Sequence, residues 1–210
     1  MTRRIISAIL MAVIIAISCH AQYRIVFINT PSILIGGKSL KAGDTFSPDA
    51  PIKWNSPRQA MKVMDLVSKS QRLIVAEQYE KSESNNLKSF ISQTKHLSSR
   101  NGAPTNPVEL RALLDGHFYL TDTLKVATAM PTDKDRFFYI SYSYAGEDIN
   151  KIIENRDGTF FITPDIFTID GKPIPPFDAT LSVYYLDQSN EKVTLITDSM
   201  QITLIPKTLE

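Results

Sequence analysis

Side chains that most often carry nucleophilic or metal chemistry are scarce here, with three histidines and one cysteine in 210 residues. Cys19 and His20 adjoin near the N-terminus, which leaves His96 and His117 for the body of the chain. His117 lies in the run Asp115, Gly116, His117, Phe118, Tyr119 at the start of a β-like stretch. An imidazole there serves either as a general base or as a hydrogen-bonding strand-edge residue. No His-Glu-x-x-His pair or other compact ligand set occurs, so no metal site is expected. No Gly-x-Ser-x-Gly nucleophile elbow occurs either, and cleavage or acylation at Cys19 removes the one thiol nucleophile.

Three further patterns dissolve on inspection. Gly36, Gly37, Lys38 and Ser39 look like the end of a phosphate-binding loop, but that loop's first glycine falls where the chain has Ser32, so the glycines read as a turn. Asp187, Ser189 and Glu191 alternate like calcium ligands, yet Lys192 occupies the place of the glycine such a loop needs, and a hairpin turn is the expectation. Carboxylates are plentiful, but nothing marks two of them as a glycosidase pair. The expectation is a non-catalytic chain without cofactor or metal, an unrecognised hydrolase being the enzymatic alternative.

Aromatic residues point beyond bare folding. Trp54, before Asn55, Ser56 and Pro57, and tyrosines 139, 142, 144, 184 and 185 offer planar amphipathic surface for a protein or a sugar, or else pack across strands. Pro173, Pro175 and Pro176 stiffen a loop ending in Phe177, at a sandwich end where recognition loops often lie. The candidate ligand or partner surface is Trp54, Tyr139, Tyr184 and Phe177.

The elements that must hold these residues follow from periodicity and turn chemistry. Tyr23 to Asn29 alternates as a strand; Ser32 to Ile35 is a second, stopped by Gly36 and Gly37; Ile52 to Trp54 is a brief third. Met61 to Leu66 and Arg72 to Glu77 suggest a hairpin, against a competing helix begun by Ser56 and Pro57. Between 81 and 116 polar residues dilute the apolar ones, giving a linker with short helices at Leu87 to His96 and Pro107 to Leu114, the second capped by Asn106. From His117 the chain is β again, with strands at Phe118 to Leu124, Arg136 to Tyr144, Ile149 to Glu154, Thr159 to Thr163, Thr180 to Leu186, Lys192 to Thr197 and Met200 to Ile205. In Arg136 to Tyr144, residues Phe138, Ile140, Tyr142 and Tyr144 form the expected core side, with Phe137 and Tyr139 opposite.

The fold expected is mainly β: a small N-terminal barrel- or sandwich-like module over 22–80, a polar linker with short helices over 81–116, and an antiparallel immunoglobulin-like β-sandwich over 117–210. The cysteine and tryptophan hallmarks of true immunoglobulin domains are missing, so the expectation concerns architecture alone.

Residues 1–21 read as an export signal: Arg3 and Arg4, an apolar run from Ile5 to Ile17, then small residues before Gln22. That run falls well short of the roughly 20 residues a membrane-spanning helix needs. Cys19 and Ala21 form a small-x-small cleavage junction that leaves Gln22 as the N-terminus. Alternatively Ala16, Ile17, Ser18 and Cys19 act as a lipoprotein box, with Cys19 lipidated and the protein held at a membrane. The formal charge of the full chain is +1, and losing Arg3 and Arg4 brings it to −1, which argues against a nucleic-acid partner. Only Cys19 is available, so no internal disulfide can form and stability rests on packing.

The chain resembles the uncharacterised exported β-rich proteins of Bacteroidota-type bacteria. Its Ala21-Gln22 junction, the Leu40, Lys41, x, Gly43, Asp44 pattern with Trp54, the Gln59 to Val63 run and the C-terminal β segment carry the likeness. The resemblance implies a periplasmic or cell-surface location and a two-part layout, and it transfers no catalytic residue. Within that setting a protein or glycan partner in the envelope is expected, with membrane attachment only if Cys19 is lipidated.

Overall fold

The computed structural model describes residues 22–83, 86–93 and 102–209. Cys19, the export signal and His96 lie outside these residues. The chain is mainly β, and its described residues divide into two compact units, 22–93 with 208–209 and 102–207.

In the first unit the strands are β1 (Tyr23–Ile28), β2 (Ile33–Ile35), β3 (Lys38–Leu40), β4 (Thr45–Phe46), β5 (Ile52–Lys53), β6 (Ala60–Asp65) and β7 (Gln71–Val75), followed by helices α1 (Ala76–Glu80) and α2 (Leu87–Gln93). They form a four-stranded sheet, β4-β1-β6-β7, and a three-stranded one, β3-β2-β5. Both sheets are open; neither closes into a barrel among the described residues. Ile25, Met61, Val63 and Ile74 from the first sheet share a core with Ile33 and Ile35 from the second. The β6–β7 hairpin takes the place of the competing helix at Ser56. A bulge between Ile25 and Phe27 interrupts the alternation of β1, and Ile28 beyond it packs against the core.

Two buried amides organise this unit. Asn29 donates to the Arg58 carbonyl (2.9 Å) and accepts from the Ala60 amide (2.8 Å). Gln59 accepts from the Asn55 amide (2.8 Å) and donates to the Thr30 hydroxyl (2.9 Å). Buried amides tolerate exclusion from water only when so satisfied.

In the second unit helix α3 (Pro107–Leu114) precedes β8 (His117–Leu120), β9 (Leu124–Ala127), β10 (Arg136–Tyr144), β11 (Glu147–Ile152), β12 (Glu154–Arg156), β13 (Thr159–Ile162), the two-residue pair β14 (Thr168–Ile169) and β15 (Lys172–Pro173), β16 (Asp178–Asp187) and β17 (Lys192–Leu204). A five-stranded sheet, β11-β10-β16-β17-β8, and a three-stranded sheet, β12-β13-β9, enclose one core in sandwich fashion. Phe138 of the larger sheet meets Phe160 of the smaller with ring centroids 4.9 Å apart.

Two of the expected strands are divided because the chain changes sheets. The expected strand Phe118 to Leu124 is two strands, β8 in the larger sheet and β9 in the smaller. Ile149 to Glu154 likewise divides at buried Ile153, whose amide donates to the Phe138 carbonyl (3.0 Å) between β11 and β12. The last two expected strands are one, β17, irregular near its middle. The sandwich is also not wholly antiparallel, because β8 runs parallel to β17, pairing His117 with Gln201 through Leu120 with Leu204.

The expected linker 81–116 contributes to both cores. Asn86 caps α2, accepting from the Ser89 amide (2.9 Å), and Leu87, Phe90 and Ile91 are buried in the first unit. Asn106 caps α3 through the Val108 and Glu109 amides (3.1 and 3.0 Å), Pro107 follows it, and Leu110 and Leu114 enter the second core.

Asp115, at the end of α3, accepts hydrogen bonds from the hydroxyls of Thr197 and Ser199 at the irregular point of β17. These bonds, Thr197 foremost, and then the Arg111 guanidinium hold its carboxyl below the usual carboxylate range. A depressed folded-state pKa contributes stability above the unfolded value, and that contribution is lost as pH falls through the folded one. Thr197→Val should therefore raise the Asp115 titration, measured by carboxyl NMR, and reduce the fall in urea stability on acidification. An unchanged titration would contradict this assignment.

Candidate docking face

The alternation of β10 fixes the candidate site. Phe138, Ile140 and Tyr142 are buried, so Phe137, Tyr139, Ser141 and Ser143 take the opposite side of the sheet. Strand pairing extends this outer face. Tyr139 is opposite Ile152 on one side and Tyr184 on the other, and Tyr184 is opposite Leu195. This makes one continuous row, Ile152–Tyr139–Tyr184–Leu195, over β11, β10, β16 and β17. Beside it runs a second row, Phe137–Leu186–Val193.

These seven large apolar or aromatic positions contain no charge. Ile152, Val193 and Leu195 are 68%, 54% and 45% exposed. The tyrosine rings stack with centroids 4.9 Å apart and planes 10° from parallel. Each tyrosine has the other on one side in the row and an aliphatic residue on its far side. Desolvation, then the neighbouring Tyr184, raises the Tyr139 pKa above the ordinary tyrosine value. Toward the other end of the sheet the same face turns polar, with Ser141 opposite Ser182 and Ser143 hydrogen-bonded to Asp148.

Of the four surface candidates read from the sequence, the structure brings together Tyr139 and Tyr184. Trp54 belongs to the first unit, where it packs half-buried against Tyr79 (centroids 5.9 Å) and its indole N–H is buried without a hydrogen-bond partner among the described residues. Phe177 packs against the sandwich core, near Tyr144 (5.5 Å) and Phe167 (5.7 Å). Ile152, Leu186, Val193 and Leu195 were not among the candidates. Their parity was readable, but membership of one face depends on which strands pair, and that is a non-local fact.

His117 has a structural role. Its Nε2 lies 2.7 Å from the Thr203 hydroxyl, which donates to Asp178 (2.6 Å). Because the hydroxyl proton points to the carboxylate, Nε2 is the protonated nitrogen and donates to Thr203. Thr203 is 1% exposed, and this His-Thr-Asp chain ties β8, β17 and β16 together. The loop prolines line a small apolar cleft of about 160 Å³, formed by Leu120, Pro164, Pro173, Ile174, Pro176 and Leu204, with Lys207 at its edge. Ligand pockets generally run to about 300–1,000 Å³. Among the described residues no three His, Cys, Asp or Glu side chains gather as a metal ion would require, and no helix is long and apolar enough to cross a membrane.

The Tyr139–Tyr184 stack should be energetically coupled. A double-mutant cycle through Tyr139→Ala and Tyr184→Ala, read by urea unfolding, is expected to give about 0.5–1 kcal/mol. Strict additivity would show that the stack contributes nothing. A scan against models of protein families and a search of curated proteins both find no match for this chain.

Proposed function

We propose that this protein is exported and acts without catalysis as a binding or assembly module of the cell envelope, docking a protein partner on the outer face of the five-stranded sheet. The uncharged patch of seven large side chains is the observation that carries the reading. Exposed apolar patches of a few hundred Å² are often functional, and interface centres are depleted in charge and enriched in tyrosine and phenylalanine.

A sugar-binding role draws less support from the same geometry. Sugar rings stack on open aromatic faces flanked by polar groups. Here Tyr139 and Tyr184 stack on each other, with Ile152 and Leu195 beyond them in the row. Trp54, the largest aromatic surface in the chain, packs in the first unit.

Photo-crosslinking in intact cells tests the reading. A photoreactive phenylalanine placed at Leu195 should yield a discrete protein adduct, while the same group at Val67, which is 78% exposed in the first unit, should yield none. Absence of an adduct at 195, or equal adducts at both positions, sinks the proposal.

A further inference from the structure

Resting on that docking reading, we infer that the partner is a second copy of this chain, packed sheet face to sheet face about a two-fold axis parallel to the strands and passing between β10 and β16. The order of the main row supplies the reason. Ile152–Tyr139–Tyr184–Leu195 reads aliphatic, tyrosine, tyrosine, aliphatic from either end. Such an axis lays β10 over β16 of the second copy and β11 over its β17, keeping each row over its counterpart. Tyr139 then meets Tyr184 of the second copy, and Ile152 meets its Leu195, twice over. Two-fold interfaces require this self-complementarity of a single patch, and aligned sheets pack face to face at about 10 Å with a modest twist angle. Phe137 comes to lie over Leu186 of the second copy, with Val193 at the rim.

The absence of charge agrees with this occupant. A patch without charge offers a charged partner no pairing, whereas an identical uncharged patch leaves no ion buried and unpaired. Four strands at about 4.8 Å spacing, with about 3.4 Å of rise per residue from position 137 to 141, short of the Asp148 carboxylate beside Ser143, give a footprint of roughly 19 by 14 Å. That is below the roughly 600 Å² per partner at the low end for stable pairs and belongs to the small, weak class of interfaces. The hydroxyl row of Ser141 and Ser182 continues the contact at its polar margin.

Charge reversal tests the two-fold geometry. The full chain, expressed with its own N-terminal segment, is examined by sedimentation equilibrium from about 1 to 300 µM, where a weak dimer is resolved. The wild type should dimerise. Ile152→Lys alone and Leu195→Glu alone should each weaken the dimer at least about 100-fold, since each leaves two unpaired charges in the contact. The double substitution in one chain should restore it to within about tenfold, because each lysine then faces a glutamate of the other copy. Both residues are exposed, so the fold should persist, which circular dichroism checks. A wild-type monomer across the range, a dimer indifferent to the single changes, or a double variant that stays monomeric each overturns the inference. The two readings fail separately: a monomer in sedimentation that still gives an adduct of some other mass from position 195 removes the self-pairing and leaves the docking face, whereas no adduct at 195 removes both.

Discussion

Register between β10 and β16 is the constraint on which the second unit depends. Pairing of Phe138 with Tyr185, Tyr139 with Tyr184 and Ile140 with Val183 puts one alternate set of side chains into the core and the other outside. A slip of β16 by one residue against β10 would turn Tyr184 and Ser182 inward and Leu181, Val183 and Tyr185 outward, setting the faces of the two strands at odds. The native register is held from inside by Phe138, fully buried between Phe160 and Tyr185 at 4.9 and 5.0 Å, and by the Tyr185 hydroxyl donating to the Pro131 carbonyl at 2.7 Å. Core formation and display of the apolar outer face are thus two consequences of one pairing. With no second cysteine in the chain, nothing covalent can substitute for it.

Away from this pairing, several polar side chains hold neighbouring elements together. His117, Thr203 and Asp178 come from three strands and bind one another across the sheet. Asp115 is engaged by Thr197 and Ser199, and Arg136 by Asp133, also an ion pair at the start of β10. Polar side chains here pin strand ends and irregularities, while the Tyr139–Tyr184 row lies on a regular part of the sheet.

What could be read from the sequence was local. The β10 boundaries and its buried set followed from alternation, α3 from Asn106 and Pro107, and the turn before β13 from Asp157 and Gly158, both at positive φ (51° and 69°). Substitution at Gly158 would also press a Cβ to within 2.9 Å of the Thr128 carbonyl oxygen, a constraint invisible without coordinates. Illegible features were all non-local. No glycine or proline marks the place where the chain steps from one sheet to the other at Ile153. The parallel β8–β17 pairing joins segments 84 positions apart (His117 with Gln201). For the site, Tyr139 and Tyr184 stood out as aromatics, but only pairing shows that they stack, that Ile152 and Leu195 flank them, and that Trp54 and Phe177 are drawn into packing instead.

The central claim is that the outer face of the five-stranded sheet is covered where the protein works. Hydroxyl-radical footprinting, comparing dilute purified protein with the protein in intact cells, measures this directly. The account expects Tyr139, Tyr184, Ile152 and Leu195 to be oxidised in dilute solution and protected in cells, with Val67 and Val108 oxidised equally in both. Equal oxidation of the four sheet residues in the two settings would contradict it.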